Sequence, residues 1–202
     1  MNASIAPSGW QFTCFVVMGL TLSLAVWTDI RQRRIPNELV LVLLAAGFLL
    51  NLADTAASTQ AGVFSDQPDA LGLGLSLAGA LTGLVLFLPM WLLRALGAGD
   101  VKLFAAVGAF VGPAATVNLA LCVFAAGGVL ALARLKLFPG KELVLHNMRA
   151  LLGTARVGTP GSGFDARTQT AWRMPYSAAI AGGVAAYAAW TLSGRAPILA
   201  FW

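Results

Sequence analysis

Leu71 to Leu93 is a run of twenty-three residues without one charged side chain, and it constrains the chain more than any other feature. A run of that length crosses the roughly 30 Å hydrocarbon core of a bilayer as a helix. Lipid offers backbone N–H and C=O groups no partner, so the run must satisfy them internally. Similar apolar runs recur along the chain. Only 10% of the 202 residues are charged and 58% are hydrophobic, whereas a soluble domain is about 25% charged. The pattern predicts an all-α, polytopic membrane protein, one domain over 1–202, with about six spans and short links.

The expected spans are 10–28, 37–52, 71–93, 101–111, 114–133 and 176–192. Trp10 and Trp27 stand near the two ends of the first, where interfacial aromatics belong. Glycines at 72, 74, 79 and 83 in the third allow close helix packing, and Pro89 is placed to kink its far end. Gly112-Pro113 reads as a tight external turn between the fourth and fifth spans. Residues 134–175 form a cytoplasmic loop in which Val144, Met148, Leu151 and Leu152 share one face of an interfacial helix over 141–152.

Charge fixes the orientation. The pI near 9.9 would suit a nucleic-acid binder, but the basic residues lie between apolar runs rather than in one patch, and no nucleic-acid partner is expected. With both termini on the non-cytoplasmic side, twelve of the thirteen Lys and Arg residues fall on the cytoplasmic side, Arg195 being the exception. The reversed topology would put those twelve outside, against the positive-inside bias. Cys14 and Cys122 sit in apolar runs with no CxxC pair, so neither a zinc site nor a disulfide is indicated. No metal or cofactor is expected. Met1 to Gly9 holds no Lys or Arg and so lacks the n-region of a signal peptide.

Acids at the edge of a membrane segment are functional candidates, because charge is expensive in lipid. Asp29 ends the first span, and Asp100 opens the fourth within Gly97-Ala98-Gly99-Asp100-Val101-Lys102-Leu103. The topology puts both at the same depth on the cytoplasmic side. Two carboxylates held close share a proton and titrate as a pair. One takes a proton from water while the other polarises a peptide carbonyl, as in aspartic proteases. Helix dipoles would favour charge on Asp100 and neutrality on Asp29, although the arginines at 31, 33 and 34 oppose this for Asp29. Gly97 and Gly99 let backbone or substrate approach without a side chain in the way.

Each residue has a plainer reading. Asp100 could be a helix cap, and Asp29 a partner for its neighbouring arginines. Lys102 serves as an interfacial anchor or a substrate contact. Pro36 and Asn37 restart a helix, proline in its first turn and asparagine as a cap. Glu38 is a first-turn acid that complements the helix dipole. Asp54, Asp66 and Asp69 are solvated acids of an external loop, and His146 is a surface residue of the interfacial segment.

These motifs resemble a family. Gly97 to Leu103 looks like the GxGD motif, extended as GxGDxK, of the type IV prepilin peptidases, and Asp29 with Ile35-Pro36-Asn37 is similar to that family's first aspartate and its downstream IPN. Met174-Pro175-Tyr176 is similar to the start of its final helix. The resemblance implies an aspartyl endopeptidase of the bacterial inner membrane with Asp29 and Asp100 catalytic. Gly97, Gly99, Lys102, Pro36 and Asn37 would shape the site or bind substrate. Its partners would be the bilayer and type IV pilin-like precursors, cut at the cytoplasmic face after a glycine and before the hydrophobic segment. Longer family members carry a cytoplasmic insertion with paired cysteines and methylate the new amino terminus. Here only a few residues join the first two spans and no CxxC pair exists, so the chain looks like the short, peptidase-only form of tight-adherence pilus systems, and methyl transfer is not expected. Two other classes compete: a proton-coupled carrier and a non-enzymatic pilus-assembly scaffold.

Overall fold

The computed structural model describes residues 9–52, 62–64, 70–93, 95–137, 175–195 and 197–199. Among them every regular element is helical: α1 (Gly9–Gln32), α2 (Asn37–Asn51), α3 (Gly72–Leu92), α4 (Ala98–Leu137) and α5 (Tyr176–Leu192). Three of these, α1, α3 and α4, are long and apolar enough to cross a membrane. Large apolar side chains cover the outside of the bundle, such as Leu41 at 66%, Val85 at 63% and Val129 at 66% exposure. That surface suits lipid and not water, so the chain is a membrane protein with transmembrane helices. Arg94, the acids at 54, 66 and 69, His146 and the expected interfacial helix over 141–152 lie outside the described residues.

α4 is broken at Gly112, whose φ of 78° and ψ of 170° are non-helical. The break reverses the chain. Phe87 of α3 stacks on Phe104 with ring centroids 4.0 Å apart and on Phe124 at 5.2 Å. In an unbroken helix those two phenylalanines would be roughly 30 Å apart, at 1.5 Å per residue. The tight turn expected at Gly112-Pro113 is therefore present, between a segment over 98–111 and one over 113–137. A φ in the left-handed region makes glycine the natural residue there.

The turn leaves a debt in hydrogen bonding, since Pro113 has no N–H to give the Ala109 carbonyl four residues back. Asn51 Nδ2 at 3.1 Å and Ser76 Oγ at 2.6 Å donate to it instead. Asn51 also gives Nδ2 to the Gly47 carbonyl and accepts the Leu71 N–H on Oδ1. Both side chains are wholly buried. One carbonyl thus ties α2, α3 and α4 together at the end of the bundle where α4 turns.

In lipid, helices associate by close packing rather than by burial from water, so small residues mark the contacts. α4 is gripped through them. Gly79 of α3 meets the backbone of Gly108, and Gly83 meets that of Phe104 and Ala105. Gly47 of α2 receives the Phe110 ring, and Gly183 of α5 receives Val123. Of the other two glycines expected to pack, Gly74 has nothing within 4 Å of where its Cβ would lie, while Gly72 is buried at φ 75° where α3 begins. Leu103, Phe104, Val107 and Phe110 of α4 form the centre of the core with Leu43 and Phe87.

Two boundaries differ from the sequence expectation. α1 runs one turn past 28, through Asp29 to Gln32, and ends at Arg33 with φ 54°, whose N–H bonds the Asp29 carbonyl at 2.8 Å. Pro36, not Asn37, takes the cap position of α2, with φ −60° and ψ 136° and no side-chain cap bond. Asn37 is already inside the helix, so its side chain is directed elsewhere.

Candidate active site

Asp29, in the last turn of α1, and Asp100, the third residue of α4, come to the end of the bundle opposite the Gly112 turn. They are close enough for the Asp29 charge to act directly on the Asp100 carboxyl, and the Asp100 charge in turn reaches Tyr176. The acids lie 71 positions apart in sequence and come from different helices.

Each carboxyl is held differently. Asp100 Oδ2 accepts the Gly97 N–H at 3.2 Å, a bond that folds the loop back over the first turn of α4. Asp100 Oδ1 is buried and has no hydrogen-bond partner among the described residues. Asp29 Oδ2 accepts the Ser177 hydroxyl at 2.6 Å, from the first turn of α5. Arg31 lies over the Trp27 ring, its guanidinium carbon 4.2 Å from the ring centroid, rather than pairing with Asp29. Tyr176 stands beside Ser177, its ring edge-on to Phe87 at 6.2 Å and its far edge over Gly127.

The two motif glycines act by leaving space. A Cβ on Gly97 would sit 3.0 Å from Asp100 Oδ2, and one on Gly99 would sit 3.2 Å from Ile35 Cβ. Gly99 thereby lets the α1–α2 loop pack against the start of α4, which sets how near Asp29 stands to Asp100.

Lys102 and Asn37 join each other and not the aspartates. Residues two apart on a helix point to different faces, so Lys102 turns away from the face of Asp100. Its Nζ donates to Asn37 Oδ1 at 3.3 Å. With Glu38 the pair edges an apolar groove of about 610 Å³ between α2 and α3, floored by α4 and lined by Leu41, Leu44, Leu77 and Leu81. Pro36 shapes the loop between Arg33 and α2 through its fixed φ. Ser177 is the site residue that sequence reasoning missed. A lone serine in a first helical turn reads as ordinary capping, and no spacing connects it with Asp29.

The bundle defines an all-helical membrane protein with transmembrane helices, and the two acids at one end of it are its candidate site. The chain belongs to the type IV leader peptidase family, whose profile matches residues 16–132, more than half of its length. It is 32% identical over 137 residues to a prepilin leader peptidase/N-methyltransferase of Burkholderia pseudomallei (strain 1026b), covering 64% of this chain and 40% of the relative. Proteins of the same name are 35% identical over 127 residues in Pectobacterium carotovorum subsp. carotovorum and 37% over 115 residues in Dickeya chrysanthemi. The matches cover 58% and 54% of this chain, and 39% and 34% of those relatives. The chain thus spans about 40% or less of the length of these relatives. No solved structure matches it.

Proposed function

We propose that the chain is a membrane-embedded aspartyl endopeptidase that removes the leader of type IV pilin-like precursors, using Asp29 and Asp100. The observation that carries this reading is the convergence of the two acids from α1 and α4 in a member of the type IV leader peptidase family. One shared proton suffices for the chemistry. The ionised acid takes a proton from water as the water oxygen bonds to the peptide carbonyl carbon. The protonated acid gives its proton to the carbonyl oxygen, forming a neutral gem-diol. The first acid then hands its new proton to the amide nitrogen as the C–N bond breaks. The second recovers its proton from a diol hydroxyl, restoring the pair.

The topology proposed with it has six spans, the hairpin of α4 supplying two, and places the aspartates at the cytoplasmic face of the bacterial inner membrane. The positive-inside bias of twelve basic residues supports that orientation. So does the way Trp10 bonds Leu50 and Asn118 bonds Leu199, which keeps the first and last described segments away from the aspartates. Only Arg33 to Pro36 separates α1 from α2, leaving no place there for a cysteine-bearing insertion. We therefore assign peptidase activity without methyl transfer.

Replacing either acid by asparagine tests the reading. Asp29→Asn and Asp100→Asn each lower leader removal by at least about a thousandfold, on a protein that elutes and melts as the wild type does. Cleavage that survives in both variants would falsify the proposal. A loss of solute uptake in its place would point to a carrier, and unchanged pilus assembly to a scaffold.

A further inference from the structure

We propose that Ser177 is a positioning residue for the aspartate pair, holding Asp29 as the acceptor that takes the proton from water and leaving Asp100 to carry the shared proton. The inference rests on the aspartyl reading above. Its starting point is where the Ser177 hydroxyl goes. Serine and threonine hydroxyls in helices commonly bond the carbonyl one turn back. Thr21, Ser23, Thr82, Thr116 and Thr191 all do so here. Ser177 does not. It is fully buried, and its hydroxyl reaches 148 positions back in sequence to Asp29 Oδ2 at 2.6 Å. A hydroxyl donating to a carboxylate makes a charge-assisted bond, stronger than one to a neutral acceptor.

Asp100 has the complementary arrangement. Its Oδ2 has a backbone donor in Gly97, while its Oδ1 is buried without a partner among the described residues. A buried carboxylate oxygen with no donor is costly. The same oxygen bearing a proton becomes a donor, and the acceptor it awaits is a substrate carbonyl. Asp29, supplied with a donor, has acceptor work left on its other oxygen. The roles are the reverse of those favoured by helix dipoles alone. A direct charge-assisted hydrogen bond outweighs the dipole of a helix end, which acts over the last turn and is weakened by solvent.

The test measures kcat and KM for the full-length protein on a pilin-like precursor. Ser177→Ala lowers kcat about ten- to a hundredfold, as expected for losing a hydrogen bond to a charged group, and leaves KM within about twofold. Ser177→Cys keeps the volume but donates weakly, so it falls with the alanine variant, and it decides the matter if Ser177→Ala does not fold. Ser177→Thr, which keeps the hydroxyl, restores kcat to within about threefold. Wild-type kcat in both the alanine and cysteine variants overturns the proposal, as does a loss confined to KM. Asp29→Asn run in parallel separates the two levels. If it abolishes cleavage while Ser177→Ala and Ser177→Cys do not, only the positioning role is lost; if it too cleaves normally, the aspartyl reading goes with it.

Discussion

Gly79 of α3 and Gly108 of α4 meet backbone to backbone, so that a methyl group on either would land on the carbonyl of the other. The two helices come this close because neither residue carries a side chain. The contact is also what holds the segment bearing Asp100 against its neighbour. Gly79→Ala should destabilise the fold by about 1–3 kcal/mol through overpacking, and Gly79→Val by more. Gly74→Ala serves as the contrast. Nothing lies within 4 Å of its Cβ position, and alanine is the better helix former by about 0.5–1 kcal/mol. Melting in detergent should fall for the first and hold or rise for the second; equal behaviour would refute the packing account.

The Ala109 carbonyl predicts a coupled loss. Asn51→Ala and Ser76→Ala each remove one donor from a buried acceptor that Pro113 cannot supply. With either donor left, the carbonyl is still satisfied. With both gone, it is buried and unpaired, at about 1–3 kcal/mol. The double variant should therefore lose more stability than the two single variants added together. Strict additivity in a double-mutant cycle would show that the two donors do not share this acceptor.

Gly97→Ala addresses the site more than the fold. The new methyl would press on Asp100 Oδ2 at 3.0 Å, turning the carboxyl from the position its Gly97 bond sets. Misplacing a reacting group by a fraction of an ångström costs rate before it costs stability, so leader cleavage should drop about tenfold with melting unchanged. A variant that cleaves at the wild-type rate would show that the orientation of Asp100 does not depend on this loop.

A pair that works with one shared proton has a bell-shaped dependence of kcat/KM on pH. As pH falls, a second proton binds and the acceptor for the water proton is lost. As pH rises, the last proton leaves and nothing remains to polarise the carbonyl. Each limb should approach about tenfold per pH unit, and the two midpoints belong to the pair rather than to either residue. A profile with only one limb between pH 4 and 10, on a protein folded throughout, would speak against shared-proton chemistry.

Much of this was visible in the residues themselves. The apolar runs announce the helices, and Gly112-Pro113 announces the reversal, because one residue takes a left-handed φ and the other ends hydrogen bonding to the turn before. The two aspartates stood out as candidates because a charge beside an apolar run has few structural reasons to be there. What escaped was set by tertiary contact. α1 continues through Asp29 because Asp29 to Gln32 are tolerated in a helix once they leave the apolar layer, and the chain stops only where Arg33 turns left-handed. Asn37 looks like a cap by composition, but Pro36 occupies that position and Asn37 reaches Lys102 across the α2–α4 contact. Whether a glycine packs or faces outward depends on the rotation of its helix, which separates Gly79 from Gly74 though both lie in one apolar span. Ser177 carries no signal at all until α5 is folded against α1.

The bond between Ser177 and Asp29 also orders events during synthesis. A ribosome finishes the first acid's helix early and the hydroxyl that steadies it 148 residues later. If the proposed pair does the chemistry, completion of α5 is the step that arms it, and a chain stopped short of it should sit in the membrane with both acids present and little proteolysis to show for them.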